Sequence, residues 1–148
     1  MKRISLWCVV LALLVTGCAT TQTALQRRTY EMKDLEGSYD DALKATMQVL
    51  QDNGYIIKSS DHASGVIQAE TGSKMVFFKG MVNTEISVTL EQFGANVVKE
   101  RISIIEKVKN SSQYGTFENS KIIDDPALFQ RLYEEIQKEM FIRKNLNR

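Results

Sequence analysis

The single histidine of the 148-residue chain, His62, stands beside Asp61 and two residues before Ser64. A hydroxyl, an imidazole and a carboxylate are the parts of a nucleophilic triad. Packed into one tight turn, these three cannot easily converge on a single substrate atom, and Asp, Ser and the following Gly65 are ordinary turn residues. Gly72-Ser73-Lys74 matches the tail of a phosphate-binding loop, but the motif's first glycine is missing, because position 67 is Ile. One histidine and the two cysteines, Cys8 and Cys18, leave mainly scattered carboxylates as metal ligands. Asp40-Asp41 and Asp124-Asp125 are paired acids, yet each pair stands at an expected helix start, where the helix dipole favours negative charge. The expectation is a chain that is not an enzyme, with no catalytic residue, cofactor or metal site.

The chemistry with better support is acylation of a thiol. Met1-Lys2-Arg3 gives a positive start, and Ile4 to Val15 reads ISLWCVVLALLV. An apolar run of about a dozen residues is too short for a settled bilayer span, which takes roughly 20, and has the length of a signal-peptide core. It leads into Val15-Thr16-Gly17-Cys18, which resembles the lipobox of bacterial lipoproteins. That resemblance implies removal of residues 1–17 and attachment of diacylglycerol to Cys18. The thiol is the nucleophile that accepts the lipid, and its small neighbours give the processing enzymes access. Cleavage would remove Lys2 and Arg3 and no acid, taking the formal charge from +1 to −1. Cys8 and Trp7 would leave too, so the mature chain could form no internal disulfide and would contain no tryptophan. Each buried acyl CH₂ contributes roughly 0.8 kcal/mol, so several chains anchor firmly. Ala19 follows the cysteine where inner-membrane-retained lipoproteins of many Gram-negative bacteria carry Asp. The resemblance therefore favours the periplasmic side of the outer membrane. A chain of charge −1 without a basic stripe gives nucleic-acid binding no support.

The elements that would stand on this anchor can be read from spacing. Residues 18–28, CATTQTALQRR, lack apolar periodicity and read as a flexible tether. Residues 29–148 suit one domain, opening with a short strand at Thr29 to Met32. Ser38 and Asp41 form a helix cap, and Tyr39, Leu43, Met47 and Leu50 share one helical face. Asn53-Gly54 ends that helix. Tyr55 to Ser60 and Val66 to Glu70 read as a hairpin about the 61–65 turn. MVNTEISVTLEQ alternates with period two, placing Val82, Ile86, Val88 and Leu90 on one side. After a turn at Phe93-Gly94-Ala95-Asn96, Val98, Ile102, Ile104 and Val108 are in phase. Glu100 and Glu106 break that phase, so a bulge or exposed strand ends are expected. Asn110 to Ile123 is polar and reads as a mobile loop. Asp125 caps a final helix with Pro126 in its first turn and Phe129, Leu132, Tyr133, Ile136 and Met140 as its stripe. The expected fold is α+β: a four- to five-stranded antiparallel sheet with two helices on one face, in the order β-α-β-β-β-β-α.

Four short phrases resemble a family of small bacterial envelope lipoproteins. They are Arg28-Thr29-Tyr30, Leu50-Gln51-Asp52-Asn53-Gly54-Tyr55, Asp61…Gly65-Val66-Ile67, and Asp125-Pro126 followed by Phe129. The element order is also similar to helix-grip domains, among them an accessory lipoprotein of the outer-membrane β-barrel assembly machinery. The resemblance implies an envelope location and a helix-grip-like fold, and it lends no catalytic residues.

One run remains unexplained by core or cap: Lys74-Met75-Val76-Phe77-Phe78-Lys79-Gly80-Met81. It is either a strand with alternate residues buried or an exposed lip whose Met75, Val76, Phe77 and Phe78 contact lipid or a partner's groove. The resulting expectation is a lipid-anchored, non-catalytic interaction or assembly module with an envelope protein partner. The alternative is a carrier or sensor holding a small apolar ligand between the last helix and the sheet.

Overall fold

The computed structural model of the protein describes residues 24–77, 79–112 and 115–146. Along the chain they form α1 (Ala24–Glu31), β1 (Met32–Glu36), α2 (Tyr39–Asp52), β2 (Tyr55–Asp61), β3 (Val66–Thr71) and β4 (Lys74–Val76). β5 (Gly80–Gln92), β6 (Val97–Ser112), β7 (Gly115–Ile122) and α3 (Pro126–Leu146) complete them. The architecture is the expected α+β layer, with helices against one face of an antiparallel sheet. The sheet has seven strands, not four or five, and the described residues include three helices, not two.

β6 is the spine. β5 pairs along one side of it, from Met81 opposite Lys109 to Gln92 opposite Val98. β1 and β7 share its other side, β1 beside residues 97–101 and β7 beside residues 105–112. β3 and β4 likewise share the far side of β5, and β2 lies outermost beyond β3. Alternation turns Ile67, Ile86, Val88, Leu90, Val98, Ile102 and Ile104 toward the helices, and all are buried. They meet Leu43 and Val49 of α2 and the α3 stripe of Phe129, Leu132, Tyr133, Ile136 and Met140, again all buried.

The helix ends follow their sequence signals. Ser38 Oγ accepts from the Asp41 amide at 3.1 Å and donates to the Asp41 carboxylate at 2.6 Å. At the other end the Gly54 amide donates to the Gln51 carbonyl, with Gly54 at φ +83°. Asp125 accepts from the Ala127 amide at 3.0 Å, and Pro126 opens α3. In the β2–β3 turn Gly65 is required: its φ is +70°, and an added Cβ would collide with the Leu90 carbonyl.

Three expectations are corrected. Thr29 to Met32 is not a strand: α1 occupies Ala24–Glu31, and β1 begins only at Met32. The irregular stretch read as a tether therefore does not extend to Arg28. α1 is held by distant contacts, with the Tyr30 ring packed at a tilt against Phe129, centroids 5.3 Å apart, and buried Glu31 lying 3.5 Å from Arg101. Second, residues 110–123 are not a loop, because β6 continues to Ser112 and β7 returns along it. All eight β7 residues are exposed, so no alternation marks the strand. Third, Glu100 produces no bulge. The register runs through it on both sides, and its side chain is wholly buried.

Candidate functional site

Burial along the central strands stops at the cross-strand pair Ile86 and Ile104. Beyond that row β4, β5, β6 and β7 continue as a four-stranded ribbon, in which no described side chain is buried. Cross-strand pairing arranges its end in rows. Val76 faces Gly80, which abuts Asn110, and Asn110 in turn faces Phe117. The next row is Met75, Met81, Lys109 and Glu118, and the one behind it is Lys74, Val82, Val108 and Asn119.

The apolar run thus lies near the tip of the ribbon, beside the last β6–β7 pairs, Ser111 with Thr116 and Ser112 with Gly115. Met75 is 73% exposed, Phe77 85% and Phe117 60%, and Val76 and Met81 are also open to solvent. Alternate burial, the competing expectation for Lys74 to Met81, is absent from β4, whose three residues are all exposed. Phe78 lies outside the described residues, as does Cys18. The turn joining β4 to β5 closes with the Lys79 amide donating to the Val76 carbonyl at 3.0 Å. Gly80 follows at φ +87°, and an added Cβ would collide with the Asn110 side chain and sit 2.6 Å from the Lys109 carbonyl. Only glycine allows β5 to start this close to β6.

Charge surrounds this apolar edge. Lys107 is 2.6 Å from Glu85 and Lys109 is 3.5 Å from Glu118. The hydrogen bond that Lys107 donates to Glu85 holds its ammonium above the ordinary lysine range. Lys74, Lys79 and Lys121 make no ion pair among the described residues.

The triad-like residues are separated in role. Ser64 Oγ donates to Asp61 at 2.7 Å and does not engage the imidazole. His62 Nε2 instead lies 3.1 Å from Asp40, whose carboxylate also holds Lys44 at 2.7 Å. These partners, Lys44 first, lower the Asp40 pKa, as the Ser64 hydroxyl does for Asp61. Tyr39 packs its ring edge-on to His62 and donates its hydroxyl to the His62 carbonyl at 2.8 Å. The result is a surface clasp between α2 and the β2–β3 turn. Asp41, the other member of its acid pair, serves the helix cap. Gly72-Ser73 leads into a strand, not the helix that a phosphate loop requires. No group of three or more His, Cys, Asp or Glu among the described residues is placed to hold a metal.

Glu100 is the chemically unusual group that sequence reading missed. Its Oε1 is 2.7 Å from Thr46 Oγ1, which is itself 2.8 Å from the Ala42 carbonyl. A hydroxyl has one proton to donate. That proton is shared between the Glu100 carboxyl and the Ala42 carbonyl, both within donor distance of Thr46 Oγ1. Burial pushes the Glu100 pKa up to about 7 against the opposing effect of the hydrogen bond that Thr46 donates. Its Oε2 is buried without a protein partner. Tyr133, also raised in pKa chiefly by burial, covers the neighbouring backbone and donates to the Glu31 carbonyl at 2.6 Å.

A second apolar surface was also missed. Phe141, Ile142 and Leu146 are exposed at the end of α3, off its buried stripe. Lys144 there lines a cleft with Val97, the first residue of β6, whereas the ribbon tip lies at the last. Roughly 50 Å of strand separates the two surfaces. Between them, the α3–sheet interface is filled by Phe129, Leu132 and Ile136, each at most 1% exposed. The clefts that touch α3 lie at its margin with β1 and open to solvent. No protein-family model matches the chain, and no curated protein matches it.

Proposed function

We propose that the protein is a cell-envelope lipoprotein, anchored through acylated Cys18 on the periplasmic side of the outer membrane. Its folded part acts as a non-catalytic interaction module. The anchor rests on the Val15-Thr16-Gly17-Cys18 segment. The module reading rests chiefly on the concentration of exposed apolar side chains at the two ends of the molecule, around Phe77 and around Phe141. Two separated contact surfaces suit a tethered body that touches two neighbours. The filled α3–sheet interface gives no comparable support to a carrier of small apolar ligands.

The anchor is tested by Cys18→Ser in cells supplied with labelled fatty acid. The variant is expected to accumulate as a precursor that carries no label, and retention of label would overturn the assignment. Native mass spectrometry of the detergent-extracted protein separates module from carrier. The module reading expects the acylated chain without a stoichiometric small apolar ligand; such a ligand released from the folded body would favour the carrier.

A further inference from the structure

We infer that the ribbon tip formed by β4, Phe77, Lys79 and β7 is a second membrane contact, bedding into the anionic face of a lipid bilayer. This rests on the anchored-module reading and names the neighbour that the lip touches. Three observations carry it.

The first is shape. Met75, Phe77 and Phe117 are exposed near the end of a narrow ribbon in which no described side chain is buried, beside the polar pairs Ser111–Thr116 and Ser112–Gly115, making a wedge and not a walled groove. An apolar wedge of this kind suits the headgroup–acyl boundary, where contacts reach roughly 5–10 Å deep. Its Met and Phe side chains need no partner of fixed shape.

The second is charge. The ribbon carries Lys74, Lys79, Lys107, Lys109 and Lys121 against Glu85, Glu106 and Glu118. Two of these lysines are matched by glutamates, and Lys74 and Lys79 directly flank the apolar side chains without an ion pair among the described residues. A cationic collar around apolar residues complements an anionic lipid surface, whereas the expected mature chain is net negative. Within the ribbon, five lysines against three glutamates leave a local excess of positive charge.

The third is reach. β1 runs antiparallel to β6 and begins at Met32 opposite Arg101, so the chain comes into the sheet from the side toward which β6 runs to its tip. Residues 18–23 fully extended, together with the eight residues of α1, can reach roughly 30 Å. From Arg101 to Lys109 along β6 is about 26 Å. Acyl chains on Cys18 and the tip can therefore meet the same bilayer, with the Phe141 end turned away from it.

The test uses the full chain with Phe77→Trp and Trp7→Phe, which leaves one indole whether or not residues 1–17 are removed. The protein is reconstituted into phosphatidylglycerol–phosphatidylcholine vesicles with brominated acyl chains. Trp at 77 is expected to emit to the blue of an exposed indole and to be quenched by the bromines. Quenching should be weaker in pure phosphatidylcholine and mostly lost with Lys74→Glu plus Lys79→Glu. A reporter at the other end, Phe141→Trp with Trp7→Phe, is expected to stay unquenched. Removing the wedge, by Phe77→Ser with the indole moved to Met75→Trp, should weaken the contact about tenfold or more. An unquenched, water-exposed indole at 77 in both lipids would overturn the inference. So would an indole at 77 that becomes shielded only when a soluble envelope extract is added and remains unquenched by bromine, since that marks a protein contact. Vesicle flotation in high salt reports the acyl anchor independently, so failure of the anchor and failure of the tip are read separately.

Discussion

A carboxyl group in a sheet core must be desolvated, and at Glu100 one Thr46 hydroxyl is its side-chain partner. Its pKa is raised from 4.5 to about 7, so the sign of the pH dependence is set. Below the ordinary value both folded and unfolded states hold the proton. Between about pH 4.5 and 7 the unfolded chain has lost it and the folded chain keeps it, so stability falls as pH rises. Above about 7 the full penalty applies, on the order of 3 kcal/mol. Glu100→Gln is expected to flatten this window and to be more stable than the parent at pH 8, with little advantage at pH 4.5, by urea denaturation at both pH values. Equal pH slopes would show that Glu100 is not the titrating group. Asp40 and Asp61, both lowered in pKa, act in the opposite sense and below this window. The burial of Glu100 is within reach of strand phase, since it falls in phase with Val98 and Ile102. In sequence it interrupts the apolar phase, because an unpartnered acid is costly in a core and its partner lies on α2, 54 residues away.

Elements with a local signal were legible, and those held by distant contacts were not. The β5–β6 hairpin announces itself by alternation, and α3 by Asp125-Pro126 followed by its apolar stripe. β7 is exposed on both faces and has no period to read, while α1 depends on Phe129 and Arg101. At the candidate site, the sequence isolated Met75 to Phe78 but not Phe117, which joins the same tip only through the β6–β7 pairing. The tip itself depends on Gly80. Gly80→Ala is expected to disrupt the β4–β5 turn, through the collision with Asn110 and the strained φ, while leaving the helix–sheet body folded. Amide hydrogen exchange should show protection lost at Met81 and Val82 and retained at Ile102 and Ile136. Collapse of protection throughout would mean that the ribbon is integral to the core.

At the scale of the whole molecule, the buried core and the exposed ribbon occupy different stretches of the same strands. The body buries Ile102 completely beneath the helices, and Ile102→Ala is expected to cost about 2–5 kcal/mol. Phe77→Ser, at an 85% exposed position, should change stability by no more than about 0.5 kcal/mol. Thermal denaturation of the two variants checks the division; a large loss from Phe77→Ser would place that ring in the interior and remove the wedge. The α+β layer and its core were readable because apolar spacing records burial. What the exposed ends touch left no periodic trace, and the role of the anchor rests on the short Val15-Thr16-Gly17-Cys18 segment. That segment is accessible to one direct measurement: intact mass and N-terminal fragmentation of the native, membrane-extracted protein. The chain is predicted to begin at Cys18, with diacylglycerol on its sulfur. A chain beginning at Met1, or a free thiol at Cys18, would contradict the account.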